Sequence, residues 1–170
     1  MIEDQDLLDQ RQEFFDGLAG DTICPCCERY AKRYRRKIHS GMARVLINLY
    51  QLTKHGSWVD YRRACLVDGR LIGRDFTILR YWGLVEQCQD PKWVASEKGT
   101  QTSDNSELEQ RPGSGLWRVT QHGREFVQGT DKAAAWVEVF ADKVVGRAES
   151  TIDIHQALGA KFNYTELMNA

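Results

Sequence analysis

The cysteines near the start of the chain are the first residues whose spacing suggests chemistry. Cys24 and Cys27 are separated as the two thiolate ligands of a zinc knuckle would be, and the intervening proline stiffens the turn. His39, Cys65 and Cys88 are available to complete a site, and we take Cys24, Cys27 and His39 as the candidate zinc ligands. Because no second paired motif follows, the competing interpretation is a metal-free turn with small, semi-buried thiols.

A dense basic run follows the cysteines. Residues 29–37 hold six bases and no acid, with Tyr30 and Tyr34 placed four residues apart among them. If this run is helical, its cations surround the helix and suit phosphate oxygens. The competing interpretation is a solvated helix, or one neutralised by residues 1–21, which carry seven acids and one base. The candidate phosphate contacts are Lys32, Arg33, Arg35, Arg36 and Lys37.

The centre of the chain combines large apolar residues at helical spacing with polar and basic residues between them. Phe76, Leu79 and Trp82 recur at helical spacing, which predicts a short helix with one buried face, ended by Gly83. The residues left outside the stripe are polar or basic and are the candidate groove-facing side chains: Arg74, Thr77, Arg80 and Tyr81.

Several elements must position this helix. Ser40 is expected to cap a first helix over residues 41–55, whose apolar face is Met42, Val45, Leu46, Leu49 and Leu52. Trp58 and Val59 predict a short strand, and Asp60 is expected to cap a brief helix through Leu66. A turn over residues 67–73 then leads into the central helix. Arg62, Arg63 and Arg70 should therefore lie near its entrance.

Two strands are expected after the central helix. The first begins at Leu84 and Val85, and the second is Leu116–Val119, followed at once by another helix from Thr120. Between them, residues 89–115 are long, polar and partly acidic, which is typical of a mobile functional or disordered loop. The order helix, strand, loop, strand is the outline of a wing.

These motifs resemble the winged helix-turn-helix superfamily over roughly residues 40–128. The resemblance is carried by Leu-Arg-Tyr-Trp-Gly-Leu-Val-Glu and by Gly-Leu-Trp-Arg-Val-Thr-Gln-His-Gly-Arg-Glu-Phe-Val. A narrower similarity, to uncharacterised bacteriophage and prophage proteins with an N-terminal Cys-Pro-x-Cys segment, rests on Cys-Pro-Cys-Cys, Tyr-Arg-Arg-Lys-Ile-His-Ser-Gly-Met-Ala and a tail reading Ala-Leu-Gly-Ala-Lys-Phe-Asn-Tyr-Thr-Glu-Leu-Met. The resemblance implies a fold and no established activity, since winged helices serve as nucleic-acid readers and as docking modules.

Two functions of different class follow. In the first, which we favour, a phage-type regulator of transcription or other DNA transactions places residues 74–81 in the major groove of double-stranded DNA, while residues 29–37 clamp the backbone. Arg74 and Arg80 would contact guanine edges or phosphates, and Thr77 and Tyr81 would adjust the register. In the second, a phage accessory protein inhibits or redirects a host protein through the acidic wing or an amphipathic helix within residues 6–18.

The expected architecture is α+β with three segments. Residues 1–39 hold the acidic helix, the cysteine turn and the basic run, and residues 40–129 form the winged domain. Residues 130–170 form a hairpin around residues 136–147 and two short helices, at Ile154 and after Asn163. This last segment is too small to be stable alone, so we expect it to pack on the winged domain or to complete a homodimer.

Composition narrows the functional class. The chain has 42% hydrophobic residues and a net charge of -1, as in ordinary soluble proteins, and no apolar run long enough to span a membrane. The acidic start is unlike a secretory leader, so we expect a cytoplasmic protein, in host cytoplasm if it is phage-encoded. The four histidines are scattered and no phosphate-binding glycine loop is present, so we do not expect an enzyme.

Overall fold

The computed structural model describes residues 22–23, 30–54, 56–89 and 115–169, and the chain is an α+β protein, as expected. Its described residues divide into two units. The helical unit contains residues 37–54, 56–89, 115–135 and 148–169, and the sheet unit contains residues 22–23, 30–36 and 136–147. The three consecutive domains expected from the sequence stay a prediction. The acidic helix, the Cys24 and Cys27 turn and most of the polar wing lie outside the described residues.

Helix α1, Ser40–Leu52, is the centre of the helical unit and contacts every other helix that the structure describes there. Apolar residues recur along it every three to four positions, and Met42, Val45, Leu46 and Leu49 are fully buried. The prediction that Ser40 caps this helix is wrong. The N-cap residue is His39, whose carbonyl accepts the first helical bond from Ala43 at 3.0 Å while its side chain forms no cap bond.

Helix α1 ends at Leu52, earlier than predicted. The next residue, Thr53, is fully buried, and its hydroxyl donates to the Leu49 carbonyl at 2.8 Å. The Thr53 carbonyl in turn accepts from Arg124 at 2.7 Å. A side chain from a distant helix thus satisfies a backbone acceptor at the helix end, which local sequence does not reveal.

A short strand and helix follow. Strand β4 is Val59–Asp60, one residue later than predicted, and helix α2 is Tyr61–Cys65. Asp60 caps α2 as expected, since its carboxylate accepts from the Arg62 amide at 2.8 Å. Strands β5, Leu66–Val67, and β6, Arg70–Leu71, form a hairpin. Its turn residues Asp68 and Gly69 both have positive φ, as a two-residue primed turn requires.

The central element is a 3₁₀ helix, Phe76–Trp82, rather than the predicted helix over residues 74–81. Phe76, Leu79 and Trp82 are buried as expected. They are three residues apart, and a 3₁₀ helix has three residues per turn, so all three point to one side. The spacing itself therefore suits the tighter helix. Gly83 ends it in the left-handed conformation at φ 71°, as expected.

The wing strands belong to a three-stranded antiparallel sheet. Strand β7 is Val85–Gln87 and strand β8 is Leu116–Val119, the latter as predicted. The sheet order is β4, β8, β7, so β8 is central and pairs with the strand that precedes α2. Helix α3, Gln121–Gln128, follows β8 and is capped by the Thr120 hydroxyl.

The end of the chain completes the helical unit. Strands β9, Ala133–Ala134, and β12, Thr151–Ile152, pair with each other. Helix α4, Ile154–Leu158, begins at a capping box formed by Asp153 and Gln156, and helix α5, Tyr164–Asn169, follows Asn163. Both helices were expected, and both contact α1.

The sheet unit consists of short antiparallel strands. Strands β1, Thr22–Ile23, and β2, Tyr30–Ala31, pair with each other. Strand β3, Tyr34–Arg36, pairs with β10, Val137–Phe140, which also pairs with β11, Lys143–Arg147. The β10 to β11 hairpin confirms the predicted one. Its turn residues, Ala141 and Asp142, again have positive φ.

Candidate nucleic-acid interface

The predicted groove-facing residues lie on the sides of the 3₁₀ helix that are not buried. Arg80 is exposed, and Thr77 and Tyr81 are half-buried. Because residues three apart align in a 3₁₀ helix, Thr77 and Arg80 share one side, and Tyr81 lies on the adjacent side. Arg74 is exposed but lies in the turn before the helix, which corrects its predicted place within the helix.

The start of the 3₁₀ helix is fixed by a close backbone approach to α1. Gly73 has φ 51°, and a Cβ there would lie 2.5 Å from the Gly41 carbonyl oxygen. Only glycine fits this contact. Beside it, His39 Nε2 lies 2.8 Å from the carboxylate of Asp75, the residue immediately before the 3₁₀ helix. Two contacts thus hold the turn that carries Arg74 against the start of α1.

Tyr61 of α2 supports the same turn from the other side. Its hydroxyl donates to the Arg74 carbonyl, and its ring stacks on Phe76 with centroids 5.5 Å apart. Phe76 in turn packs edge-on against Trp117 of β8 at 5.6 Å. Burial raises the pKa of Tyr61 above its ordinary value, so its hydroxyl keeps its proton, and can donate, further into the alkaline range. An aromatic row therefore connects α2, the 3₁₀ helix and the wing sheet.

The end of the 3₁₀ helix is held by two further hydrogen bonds. Trp82 Nε1 donates to the Ala134 carbonyl at 2.7 Å, and the Thr120 hydroxyl donates to the Gly83 carbonyl at 2.5 Å. On the outer side, the Arg80 guanidinium lies 5.1 Å from the Tyr81 ring centroid. With both ends anchored, the outer side chains project from a fixed backbone.

The three additional arginines that the sequence placed near this site differ in exposure. Arg63 of α2 and Arg70 of β6 are exposed. Arg62 is half-buried, and its Nη1 is a buried atom with no hydrogen-bond partner in the described structure. Arg62 is adjacent to Tyr61, which contacts the Arg74 backbone, so α2 and the start of the 3₁₀ helix are neighbours.

The basic run is an extended segment, which corrects the helical interpretation. Lys32, Arg33, Arg35 and Arg36 lie in the sheet unit, whereas Lys37 belongs to the helical unit. Residues 34–36 form strand β3 because β10, about one hundred residues later, supplies the pairing partner. Apolar and polar residues do not alternate in this run, so its sequence did not indicate a strand.

Two cations of the run contact one carboxylate of β10, which compensates part of their charge. Arg35 lies 3.2 Å from Glu138, and Arg33 lies 3.9 Å from the same side chain. The Arg35 guanidinium also lies 4.1 Å from the Trp136 ring centroid. These contacts compete with phosphate for Arg33 and Arg35.

Of the three candidate zinc ligands, the structure describes His39 but not Cys24 and Cys27. Cys24 and Cys27 lie outside the described residues, and His39 is hydrogen-bonded to Asp75. Cys65 and Cys88 are buried, and burial raises the pKa of Cys65 to about 11, which disfavours its thiolate. Within the described ranges, no group of three or more His, Cys, Asp or Glu side chains is arranged to hold a metal ion. Zinc at Cys24, Cys27 and His39 stays a prediction.

Sequence reasoning missed the residues that hold the 3₁₀ helix in place. Tyr61, Asp75 and Ala134 act through contacts with backbone or side chains far along the chain, so no local pattern marks them. Gly73 was available as a signal, because a glycine two residues before an N-cap position often marks an unusual turn.

No protein-family model, curated protein or solved structure matches this chain. Among the helices that the structure describes, none has the length and apolar character needed to cross a bilayer.

Proposed function

We propose that this chain is a phage-type winged-helix protein that binds double-stranded DNA and regulates transcription or another DNA transaction. The order α1, β4, α2, 3₁₀ helix, β7 and β8, with the β5–β6 hairpin inserted between α2 and the 3₁₀ helix, supports the winged-helix assignment, because apart from that hairpin it follows the order that the sequence resemblance implies. The pairing of β4 with β8 adds support, since it joins the segment between the first two helices to the wing strands.

The observation that carries the proposal is the two-sided character of the 3₁₀ helix. One side is wholly buried through Phe76, Leu79 and Trp82, whereas Arg80 and the preceding Arg74 are exposed. Seven residues at a rise of about 2 Å per residue make a rod about 14 Å long, and the major groove, about 12 Å wide, admits a helix. A short cationic rod on a rigid support is suited to this groove.

The roles of the side chains follow from their positions. Arg74 forms no ion pair within the described part of the chain, so its guanidinium is available to a guanine edge or a phosphate. Arg80 contacts the adjacent Tyr81, which would hold its guanidinium at a defined distance from the helix. Thr77 shares the Arg80 side and is placed to contact a base edge or phosphate.

The test is a fluorescence anisotropy titration of the full chain with random and genomic duplexes at two salt concentrations. The Arg74→Ala/Arg80→Ala variant should bind at least about 30-fold more weakly than the unmodified chain, because the two lost contacts cost roughly 1–3 kcal/mol each and 1.4 kcal/mol is tenfold in affinity. A control with the same change in net charge is Lys132→Ala/Lys161→Ala, which removes two exposed cations of the same unit.

The control variant should lose less than about threefold in affinity, through long-range electrostatics alone. Equal losses in the two variants would show that duplex binding depends on net charge rather than on the 3₁₀ helix. No binding of the unmodified chain at low salt would eliminate the proposal.

A further inference from the structure

The sheet unit presents its own surface of cations around an exposed aromatic ring. Residues opposite each other in antiparallel strands point to the same face of a sheet. Arg36 and Arg147 are both paired with Val137, and Tyr34 is paired with Val139. Tyr34, Arg36 and Arg147 therefore lie on one face, which we call the tyrosine face. Val137 and Val139 in its centre are buried, so its exposed groups stand on the two outer strands, Tyr34 and Arg36 on β3 and Arg147 on β11.

The Glu138 carboxylate, which contacts Arg33 and Arg35, lies on the other face of the sheet. Glu138 is paired with Arg35 and alternates with Val137 and Val139 along β10, so it points away from the tyrosine face. Arg36 and Arg147 are exposed, and no ion pair in the described ranges involves either of them. The alternation of the strand thus separates the paired arginines of the sheet unit from the unpaired ones.

The ring of Tyr34 lies at one edge of the tyrosine face, because β3 is an outer strand of the sheet. It is 45% exposed, and it lies among cations, with Arg36 Cζ 5.1 Å and Lys32 Nζ 5.7 Å from the ring centroid. Both contacts are at long distance and exposed to solvent, where a cation–π interaction is weak. A ligand with a flat ring could therefore replace either cation on the tyrosine ring.

We propose that the tyrosine face binds single-stranded nucleic acid. Stacking of a base on an aromatic side chain is stronger than an exposed cation–π contact, so an unpaired base would displace a cation from Tyr34. The displaced Lys32 or Arg36, together with Arg147, would then contact the phosphates on either side of that base. In a duplex the bases are stacked on one another, so this arrangement selects single strands.

This surface includes Lys32 and Arg36, which the sequence predicts as contacts of duplex phosphates, but it does not require the 3₁₀ helix to bind DNA. It uses none of the residues of the 3₁₀ helix, and it lies wholly within the sheet unit. An acidic peptide would also be attracted by Lys32, Arg36 and Arg147, but it would have no use for an exposed ring surrounded by cations. The ring is what favours a nucleic-acid base as the occupant.

The experiment measures anisotropy of a fluorescein-labelled oligo(dT) of fifteen nucleotides with the full chain at several salt concentrations. Tyr34→Phe should bind like the unmodified chain, because phenylalanine also stacks, whereas Tyr34→Ala should bind about 5- to 100-fold more weakly. Arg36→Gln/Arg147→Gln should reduce the slope of log affinity against log salt by about 1.4, at about 0.7 for each lost phosphate contact on a single strand.

Two matched variants make the result specific. Arg35→Gln changes the opposite face of the same strand and should alter oligo(dT) binding less than Arg36→Gln. Arg74→Ala/Arg80→Ala should leave oligo(dT) binding unchanged while it weakens duplex binding, so failure of one proposal is distinguishable from failure of the other. Thermal unfolding of each variant checks its fold, and Tyr34→Leu, which cannot stack as a ring, replaces Tyr34→Ala if that variant is unfolded.

Three outcomes would overturn the proposal. The first is that oligo(dT) does not bind at low salt, and the second is that Tyr34→Ala and Tyr34→Phe bind alike. In the third, a peptide of fifteen glutamates displaces labelled oligo(dT) as well as unlabelled oligo(dT) does. That result would identify the tyrosine face as a site for acidic peptides.

Discussion

The two basic regions of this chain differ in what surrounds their arginines. In the sheet unit, Arg33 and Arg35 both contact Glu138, and Arg35 also lies over Trp136. In the helical unit, Arg74 is exposed and forms no ion pair within the described residues. Along the sequence, the basic run of the sheet unit is the denser cluster of cations. The structure shows that part of its charge is already compensated.

The difference also concerns the support behind the cations. Arg80 lies on a short helix, and Arg74 lies in the turn before it; buried side chains and the Gly73 contact with α1 hold this helix and turn in place. In the sheet unit the corresponding support is a three-residue strand held by β10. A fixed backbone suits recognition of particular base edges, whereas backbone phosphates can be contacted from a less constrained segment.

The largest expected effect comes from removing the support of the 3₁₀ helix. Gly73→Ala would place a Cβ 2.5 Å from the Gly41 carbonyl oxygen, on a residue whose φ is positive. The clash and the backbone strain together should lower the free energy of unfolding by about 3–5 kcal/mol. Gly69→Ala is the matched control, because Gly69 also has positive φ, 70°, but a Cβ there meets nothing within 4 Å. It should cost only about 1–2 kcal/mol. Chemical denaturation measures both, and equal losses would contradict the close-approach argument.

A smaller effect, on stability at high pH, should come from the buried thiol of Cys65 in α2. Burial raises the pKa of Cys65 from 9.0 to about 11, so the unfolded chain releases the thiol proton first as the pH rises. Stability contributed by the neutral thiol is complete below pH 9 and is lost between pH 9 and pH 11. Between pH 8 and pH 10.5 this amounts to about 2 kcal/mol.

The measurement compares denaturation at these two pH values for the unmodified chain and for Cys65→Ala. The variant has its own stability loss from the missing sulfur, but it should lack the Cys65 share of the pH dependence. Burial also raises the pKa of Tyr61, and so does its contact with Cys65, so Cys65→Ala removes the Cys65 share of the pH dependence together with part of the Tyr61 share. Identical pH dependence in the two proteins would show that Cys65 does not titrate in this way.

The smallest expected effect, on duplex affinity, tests whether Glu138 compensates the charge of Arg33 and Arg35 in the sheet unit. Glu138→Gln removes the carboxylate that contacts Arg33 and Arg35, so duplex affinity should rise by about two- to fivefold, with a steeper salt dependence. Glu86→Gln is the control, because Glu86 pairs with Arg118 in the helical unit and the change in net charge is the same. If both variants raise the affinity equally, net charge alone accounts for the gain, and the two regions do not differ as argued.

Local patterns were sufficient to predict much of the helical unit. The buried Phe76, Leu79 and Trp82, the left-handed Gly83 and the Asp60 cap follow from side-chain spacing and from the conformations that single residues favour. The turn between β10 and β11 was located from the alternation of apolar and polar residues on either side of it.

Contacts between distant residues could not be predicted in this way. Glu138 contacts two arginines of a run that lies about one hundred residues earlier, and β10 pairs with that run as a strand rather than a helix. His39 is the N-cap residue of α1, yet its side chain contacts Asp75 instead of the free backbone amides of the first turn. In each case a long-range partner prevails over a local preference, and a single sequence contains no record of that partner.

The pairing of β3 with β10 has a consequence for biosynthesis. Residues 34–36 leave the ribosome about one hundred residues before Val137–Phe140, the strand that completes their backbone hydrogen bonds. The intervening residues contain most of the helices, whose local contacts form quickly, whereas closing so long a loop is slow. The amino-terminal strand must therefore wait, unpaired with β10, while the middle of the nascent chain is already able to fold.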